Sequence, residues 1–209
     1  MRESAPAQDS GRYQIHLIRH GATAGTRDGL LYGKSNIPLL PEGAEALRAF
    51  AADGVYPDPA GCAFFSSGML RAVESLEAIY GARAHAYIEE LQEFDCGVFE
   101  MRPYGELSQS ETYKRWIADK NGETPAPGGE SFAAFRRRVA AGAARLLAPY
   151  RDGRATHDSI VVCHGGVISM MMDRFFPGVH DNPFRWTPDP GRGYSVTVNG
   201  GTAEGYIGL

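Results

Sequence analysis

Two stretches decide the fold: Ile15-His16-Leu17-Ile18-Arg19-His20-Gly21 and Ile160-Val161-Val162-Cys163-His164-Gly165-Gly166. Each opens on a short apolar run, β-branched in the second, that suits a buried strand of a sheet covered on both faces. Each run ends in a histidine followed by glycine. Ala63-Phe64-Phe65 reads as a third buried strand; it ends in Ser66-Ser67, with Arg71 in the first turn of the next helix. Helical patterns fill the intervals: Glu42 to Ala52 behind Pro41, about Gly68 to Tyr80, and Ser131 to Tyr150, whose apolar residues recur at three and four. Within the last, Arg136-Arg137-Arg138 reads as a solvated face. Tyr194 to Val198, Asn199-Gly200-Gly201 and Thr202 to Ile207 read as a hairpin. Strands alternating with helices predict an α/β fold with a mainly parallel sheet.

The 209 residues favour one domain, residues 12–209, behind a flexible arm over residues 1–11 (MRESAPAQDSG), which is small, polar and interrupted by Pro6. With 21 Lys plus Arg against 25 Asp plus Glu the net charge is −4, which argues against a nucleic-acid partner held by phosphate contacts. Cys62, Cys96 and Cys163 are odd in number and widely spaced, suggesting neither a disulfide framework nor a thiolate zinc site. No signal-peptide core or membrane-length apolar run is present, so a cytoplasmic location without a membrane partner is expected.

Ligands of open α/β sheets bind outside the carboxyl ends of the strands. There the three strand ends bring Arg19, His20, Arg71 and His164 to one crevice. Two guanidiniums and two imidazoles describe a site for a tetrahedral dianion, since arginine gives bidentate, charge-assisted bonds to phosphate and stays charged. Glycine beside each histidine lets the backbone approach an anion or take positive φ.

These residues resemble the histidine phosphatase superfamily, also called phosphoglycerate mutase-like. Leu17-Ile18-Arg19-His20-Gly21-Ala22-Thr23 is similar to its signature, and Gly33, Pro38-Leu39 and Gly43 resemble the family's Gly, Pro-Leu and Gly downstream of that signature. Ser66 to Glu74 is similar to its Ser-Pro-x-x-Arg-Ala-x-Glu segment, and Leu91-Gln92-Glu93, Gly97 and Glu100 to its Leu-x-Glu block. Pro127 to Ser131 and Val162 to Gly166 complete the ordered series. The resemblance implies a phosphoglycerate mutase-like three-layer α/β/α sandwich with a small helical cap insert at about residues 98–128. It also implies that His20 is the nucleophile and becomes a phosphohistidine. Arg19, Arg71 and His164 would then hold the phosphoryl oxygens, with Thr26 and Gly165 beside the substrate, and Glu93 would be the proton donor.

Neutral His20 needs an acceptor such as a backbone carbonyl for its second nitrogen. His164 is expected to be cationic once phosphate arrives, and Phe94 and Phe99 are expected to desolvate Glu93. Glu89, Glu90, Asp95 and Glu100 are rivals for the acid role. Thr26 stands where many members have Asn, Ser67 is read at the usual Pro and Asn36 at a common Asp; the last two are expected to leave the core chemistry untouched.

Gly29 to Ser35 nearly spells a P-loop but has three residues, not four, between its glycines. His16 and His20 make no metal site with a third ligand, and His16 reads as packing or surface. His85, His157 and His180 read as solvated, and Met170-Met171-Met172 with Phe175-Phe176 as core. The expectation is therefore a metal- and cofactor-independent, acid-type phosphatase, a phosphoric monoester hydrolase acting on a small phosphorylated metabolite. The alternatives are a phosphoglycerate mutase-type phosphotransferase and a non-catalytic phospho-ligand binding module. Phe94-Asp95-Cys96 after Glu93 disfavours the mutase, because Asp95 is expected to repel an acidic substrate. Arg102, Tyr104, Tyr113, Lys114, Arg115 and Trp116 of the insert mix cations with aromatic faces and suit a phosphorylated sugar, nucleoside or ring. Neither the oligomeric state nor the substrate is legible at this level.

Overall fold

Alternate residues of two adjacent central strands bury opposite faces of one sheet. Ile15, Leu17, Val161 and Cys163 pack with Phe135, Val139 and Met171, whereas Ile18, Ile160 and Val162 pack with Phe64, Ala72 and Leu76. The structure, a computed structural model, describes residues 11–209. The arm expected at residues 1–11 lies, apart from Gly11, outside the described residues.

In chain order the elements are β1 (Arg12–Arg19), α1 (Ala24–Arg27), β2 (Leu30–Leu31), α2 (Pro41–Ala52), β3 (Ala63–Ser66), α3 (Leu70–Tyr80), β4 (Ala86–Tyr87), β5 (Arg102–Pro103), α4 (Tyr104–Leu107), α5 (Glu111–Ile117), α6 (Phe132–Arg151), β6 (Ser159–Cys163), α7 (Gly165–Phe175), β7 (Gly193–Asn199) and β8 (Thr202–Gly208). The main sheet runs β4-β3-β6-β1-β7-β8. Pairings β4·β3, β3·β6 and β6·β1 are parallel, and β1·β7 and β7·β8 are antiparallel. With α3 on one face and α6 and α7 on the other, this is the expected three-layer α/β/α arrangement with a mostly parallel sheet.

Local chemistry sets the ends. Pro41 opens α2, where its missing N–H costs nothing. Ser131 caps α6, its Oγ accepting Ala134 N at 3.2 Å. Gly200 and Gly201 take φ of 54° and 76°, which makes the β7–β8 connection a two-residue turn that matches strand twist. The helix expected from Gly68 begins at Leu70, after Gly68 has taken φ 78°.

Met170, Met171 and Met172 are buried in the larger core cluster, with Phe175 and Phe176 packed against it. His16 is buried, its Nδ1 2.6 Å from Ser195 Oγ. His157 is exposed, but His85 and His180 are half-buried, and the His180 ring packs edge-on to Trp186 at 4.5 Å. Among the described residues no helix is long and apolar enough to cross a membrane.

Leu76 is fully buried on α3, the helix that carries Arg71. Leu76→Ala is expected to lower the unfolding free energy by about 2–5 kcal/mol, as buried leucine truncations do. Urea unfolding checks it.

Candidate active site

A cavity of about 440 Å³ opens at the carboxyl ends of the central strands, lined on its polar side by Arg19, His20, Thr26, Arg71, Glu93 and Gly165. His20 follows directly on β1 and is 2% exposed. Its Nδ1 lies 2.7 Å from Gly21 O, so this nitrogen donates and Nε2 keeps its lone pair. Burial, then Arg71 and Arg19, push the His20 pKa well below the usual imidazole value, against a small upward pull from Gly21 O.

Arg71 is fully buried; Nη1 donates to Ser35 O at 2.8 Å and Nη2 to Gly33 O at 2.6 Å. Arg19 Nη1 donates to Pro188 O at 2.7 Å. The Nε atoms of both arginines are buried without a partner. Glu100 fixes the loop that supplies the two carbonyls: its carboxylate accepts Gly33 N, Lys34 N, Ser35 N and Ser35 Oγ, and on the other side Cys96 N. Asn36 Oδ1 accepts Leu70 N at 2.8 Å at the start of α3.

His164 does not line the cavity. It is fully buried beside His20, ring centroids 5.3 Å apart, with Nδ1 unpartnered and Nε2 2.8 Å from Ser67 Oγ. Burial, then Arg71, His20, Arg19 and Arg138, hold its pKa well below the ordinary value, which favours the neutral ring. The cationic His164 expected from the sequence is not the form that these surroundings favour. Ser67 stands at the family's serine, not at its proline. Counted back from Arg71, the family pattern puts its serine at Ser67 and its proline at Gly68, whose φ of 78° no proline can take. The Ser67 hydroxyl thus meets His164 behind the cavity.

Glu93 is the carboxylate in the cavity lining; Glu89, Glu90, Asp95 and Glu100 are not among the lining residues. Its Oε1 accepts Phe94 N and its Oε2 accepts Gly166 N, each at 2.9 Å. The second bond places the carboxylate on the positive end of α7, which its N-cap residue His164 leaves without a side-chain cap. A Cβ on Gly166 would stand 2.5 Å from Glu93 Oε1. Close approach, by a side chain and not by a bound anion, is what demands glycine there; Gly21, Gly165 and Gly166 all have ordinary φ. The Phe94 ring turns into a stack with Trp116, Phe132 and Phe135.

Thr26 Oγ1 lies 2.8 Å from Tyr32 Oη, which also accepts Thr23 Oγ1. Tyr32, unremarked in the sequence, stands 6.4 Å from the His20 ring and under the Arg71 guanidinium at 5.2 Å. From the expected insert, Tyr104, Tyr113 and Trp116 line the cavity. Its cations turn outward: Arg102 pairs with Glu106, Lys114 with Glu111, and Arg115 is exposed. Phe184 and Thr187 also line the cavity, from a segment with no sequence signal. Arg138, read as solvated, is instead half-buried against the Glu93 loop.

A family model, described as histidine phosphatase superfamily (branch 1), matches residues 15–204. The chain belongs to that superfamily. It is 30% identical over 192 residues to an adenosylcobalamin/alpha-ribazole phosphatase of Escherichia coli, covering 89% of this chain and 90% of that protein. It is also 30% identical over 166 residues to a 2,3-bisphosphoglycerate-dependent phosphoglycerate mutase of Rhizobium etli, covering 73% and 75%. Among solved structures it resembles the alpha-ribazole phosphatase of Shigella flexneri (TM-score 0.76, 27% identity, 91% of this chain and 93% of that one). It also resembles a phosphoglycerate mutase of Thermus thermophilus (TM-score 0.66, 27% identity, 94% and 99%). Proteins named for both activity types therefore share this fold.

Neutral buried histidines make stability depend on pH. An unfolded imidazole takes up a proton below about pH 6.5 and these two do not, so folding free energy is intact above that pH and is lost as pH falls below it. Urea unfolding is expected to lose about 2 kcal/mol between pH 6.5 and 5.5 from His20 and His164 together, with a further decrement from His16, where burial outweighs Asp158. His164→Gln should remove about half of the site's share.

Proposed function

We propose that this chain is a metal-independent phosphomonoesterase that hydrolyses a small ester with an uncharged, ring-bearing leaving group through a phosphohistidine on His20. The observation that carries this reading is the make-up of the cavity. Its polar end holds Arg19, Arg71, His20 and Glu93, while Tyr32, Tyr104, Tyr113, Trp116, Phe132 and Phe184 give much of the remaining wall an aromatic surface. Arg19 and Arg71 are the lysine or arginine side chains in the lining among the described residues. Both belong with the phosphoryl group, which leaves no cation for the carboxylate of a phosphoglycerate. Asp95, which the sequence suggests would repel an acidic substrate, pairs with Lys34 at 3.0 Å outside the cavity, so it is the missing cation and not Asp95 that disfavours a phosphoglycerate.

In the proposed reaction His20 Nε2 attacks phosphorus as the bond to the ester oxygen breaks, and protonated Glu93 gives that oxygen its proton. Glu93, now a carboxylate, takes a proton from water as the water oxygen bonds to phosphorus. The N–P bond breaks with its electron pair returning to Nε2, and inorganic phosphate leaves. Arg19 and Arg71 meet the charge on the non-bridging oxygens, where a loose phosphoryl transition state gathers it. His164 Nδ1 joins them when the dianion's charge offsets the burial that keeps the ring neutral.

Hydrolysis of para-nitrophenyl phosphate in excess EDTA is expected to proceed, to be inhibited by vanadate, and to disappear in His20→Ala. Turnover of 3-phosphoglycerate to its isomer should be absent. Full activity of His20→Ala would overturn the mechanism. Phosphate binding without turnover of any ester would assign the fold to a binding module.

A further inference from the structure

The residue that the sequence presents as part of a solvated arginine run is wrapped around the main chain of the proposed acid. From α6, Arg138 Nη1 donates to Gln92 O at 2.7 Å and Glu90 O at 3.0 Å, and Nη2 donates to Glu93 O at 3.2 Å. The same guanidinium is paired with Glu130, which stands just before α6 and accepts from both Nε and Nη2. Glu130 in turn accepts Asp95 N at 3.0 Å through Oε1 and donates its own N–H to Asp95 O at 3.0 Å. The Arg138 side chain is 27% exposed and that of Glu130 18%. Three carbonyls of one loop on one planar fork leave the Glu90–Asp95 main chain few ways to shift, and a single ammonium has no such geometry.

We propose that Arg138, fixed by Glu130, is a positioning residue for Glu93: it sets the main chain from which the carboxyl reaches the leaving oxygen. This rests on the reading of Glu93 as the proton donor. Neither Arg138 nor Glu130 is in the cavity lining, so neither meets the leaving oxygen itself; the Arg138 charge also bears on His164, an effect that does not depend on the leaving group. A general acid matters most when the leaving group is a poor one, because a good one departs without a proton. Loss of the clamp therefore has a signature that loss of packing lacks. It grows with leaving-group pKa.

The test is kcat/KM for 2,4-dinitrophenyl, para-nitrophenyl and benzyl phosphates, measured on the full chain and on Arg138→Ala, Glu93→Gln and the double variant. Arg138→Ala is expected to lose about 30- to 100-fold with benzyl phosphate and less than about threefold with the dinitrophenyl ester, within the range a general acid contributes. In the Glu93→Gln background it should cost almost nothing more, since the two changes remove one function. Arg138→Lys and Glu130→Gln, which keep much of the side-chain volume, are expected to show the same slope in weaker form, and they carry the comparison should Arg138→Ala not fold. A loss equal across the three esters in all these variants, or one that multiplies with that of Glu93→Gln, would overturn the clamp while leaving the acid in place. A flat profile in Glu93→Gln itself would overturn the acid assignment and the clamp with it.

Discussion

Two guanidiniums oriented by carbonyl oxygens govern this site. Gly33 O and Ser35 O hold Arg71, and Pro188 O holds Arg19. A carbonyl directs a guanidinium without cancelling its charge, as a carboxylate partner would. The pocket thus keeps an excess of buried positive potential, and Coulomb's law at low effective dielectric sets the consequences. Burial, and after it the arginine charges, lower the pKa of both neighbouring histidines and favour their neutral forms, the state in which the proposed mechanism needs His20. In the proposed function a dianion relieves the imbalance, and its charge favours a proton on His164.

The fold supplies these parts at small local cost. β1 and β6 run parallel and in register, so Arg19 pairs with Cys163, and the histidine after each strand emerges at the same sheet edge. Arg71 stands in the first turn of α3, one strand over. Two carboxylates brace the loops between: Glu100 ties the carbonyls that grip Arg71, and Glu130 ties the fork that grips the Glu93 loop. The positive end of α7 receives the Glu93 carboxylate because Gly166 has no Cβ to block it.

Strands, helices and the hairpin are legible because each carries its own local signal: a buried apolar run, a first-turn proline, a capping serine, a Gly-Gly turn. The strand-end residues are legible for a related reason, since a polar residue after a buried strand has few places to go but the crevice. The readings that fail concern single residues whose partners are remote in sequence. Arg138 reads as solvated among three arginines, yet its carbonyl partners lie about 45 positions away. Ser67 is shifted by one place against the family pattern, and only its contact with His164 shows what it does. Asp95 reads as a source of repulsion that its pairing with Lys34 prevents. Tyr32, Phe184 and Thr187 reach the cavity by packing alone, and packing leaves no periodic trace.

The cavity has two chemically different ends. Arg19 and Arg71 stand at one, and Tyr32, Tyr104, Tyr113 and Trp116 line the other; in the proposed reading the first holds the phosphoryl group and the second the rest of the ester. On burial and the hydrogen bond to Gly21 O, His20 rests neutral, protonated on Nδ1, with Nε2 free. Long-range ¹H–¹⁵N NMR of the imidazoles at pH 6.5, before and after addition of inorganic phosphate, tests it most directly. A neutral Nδ1–H tautomer for His20 in both states and uptake of a proton by His164 on adding phosphate are expected. An imidazolium or an Nε2–H tautomer at His20 in the free protein would contradict it.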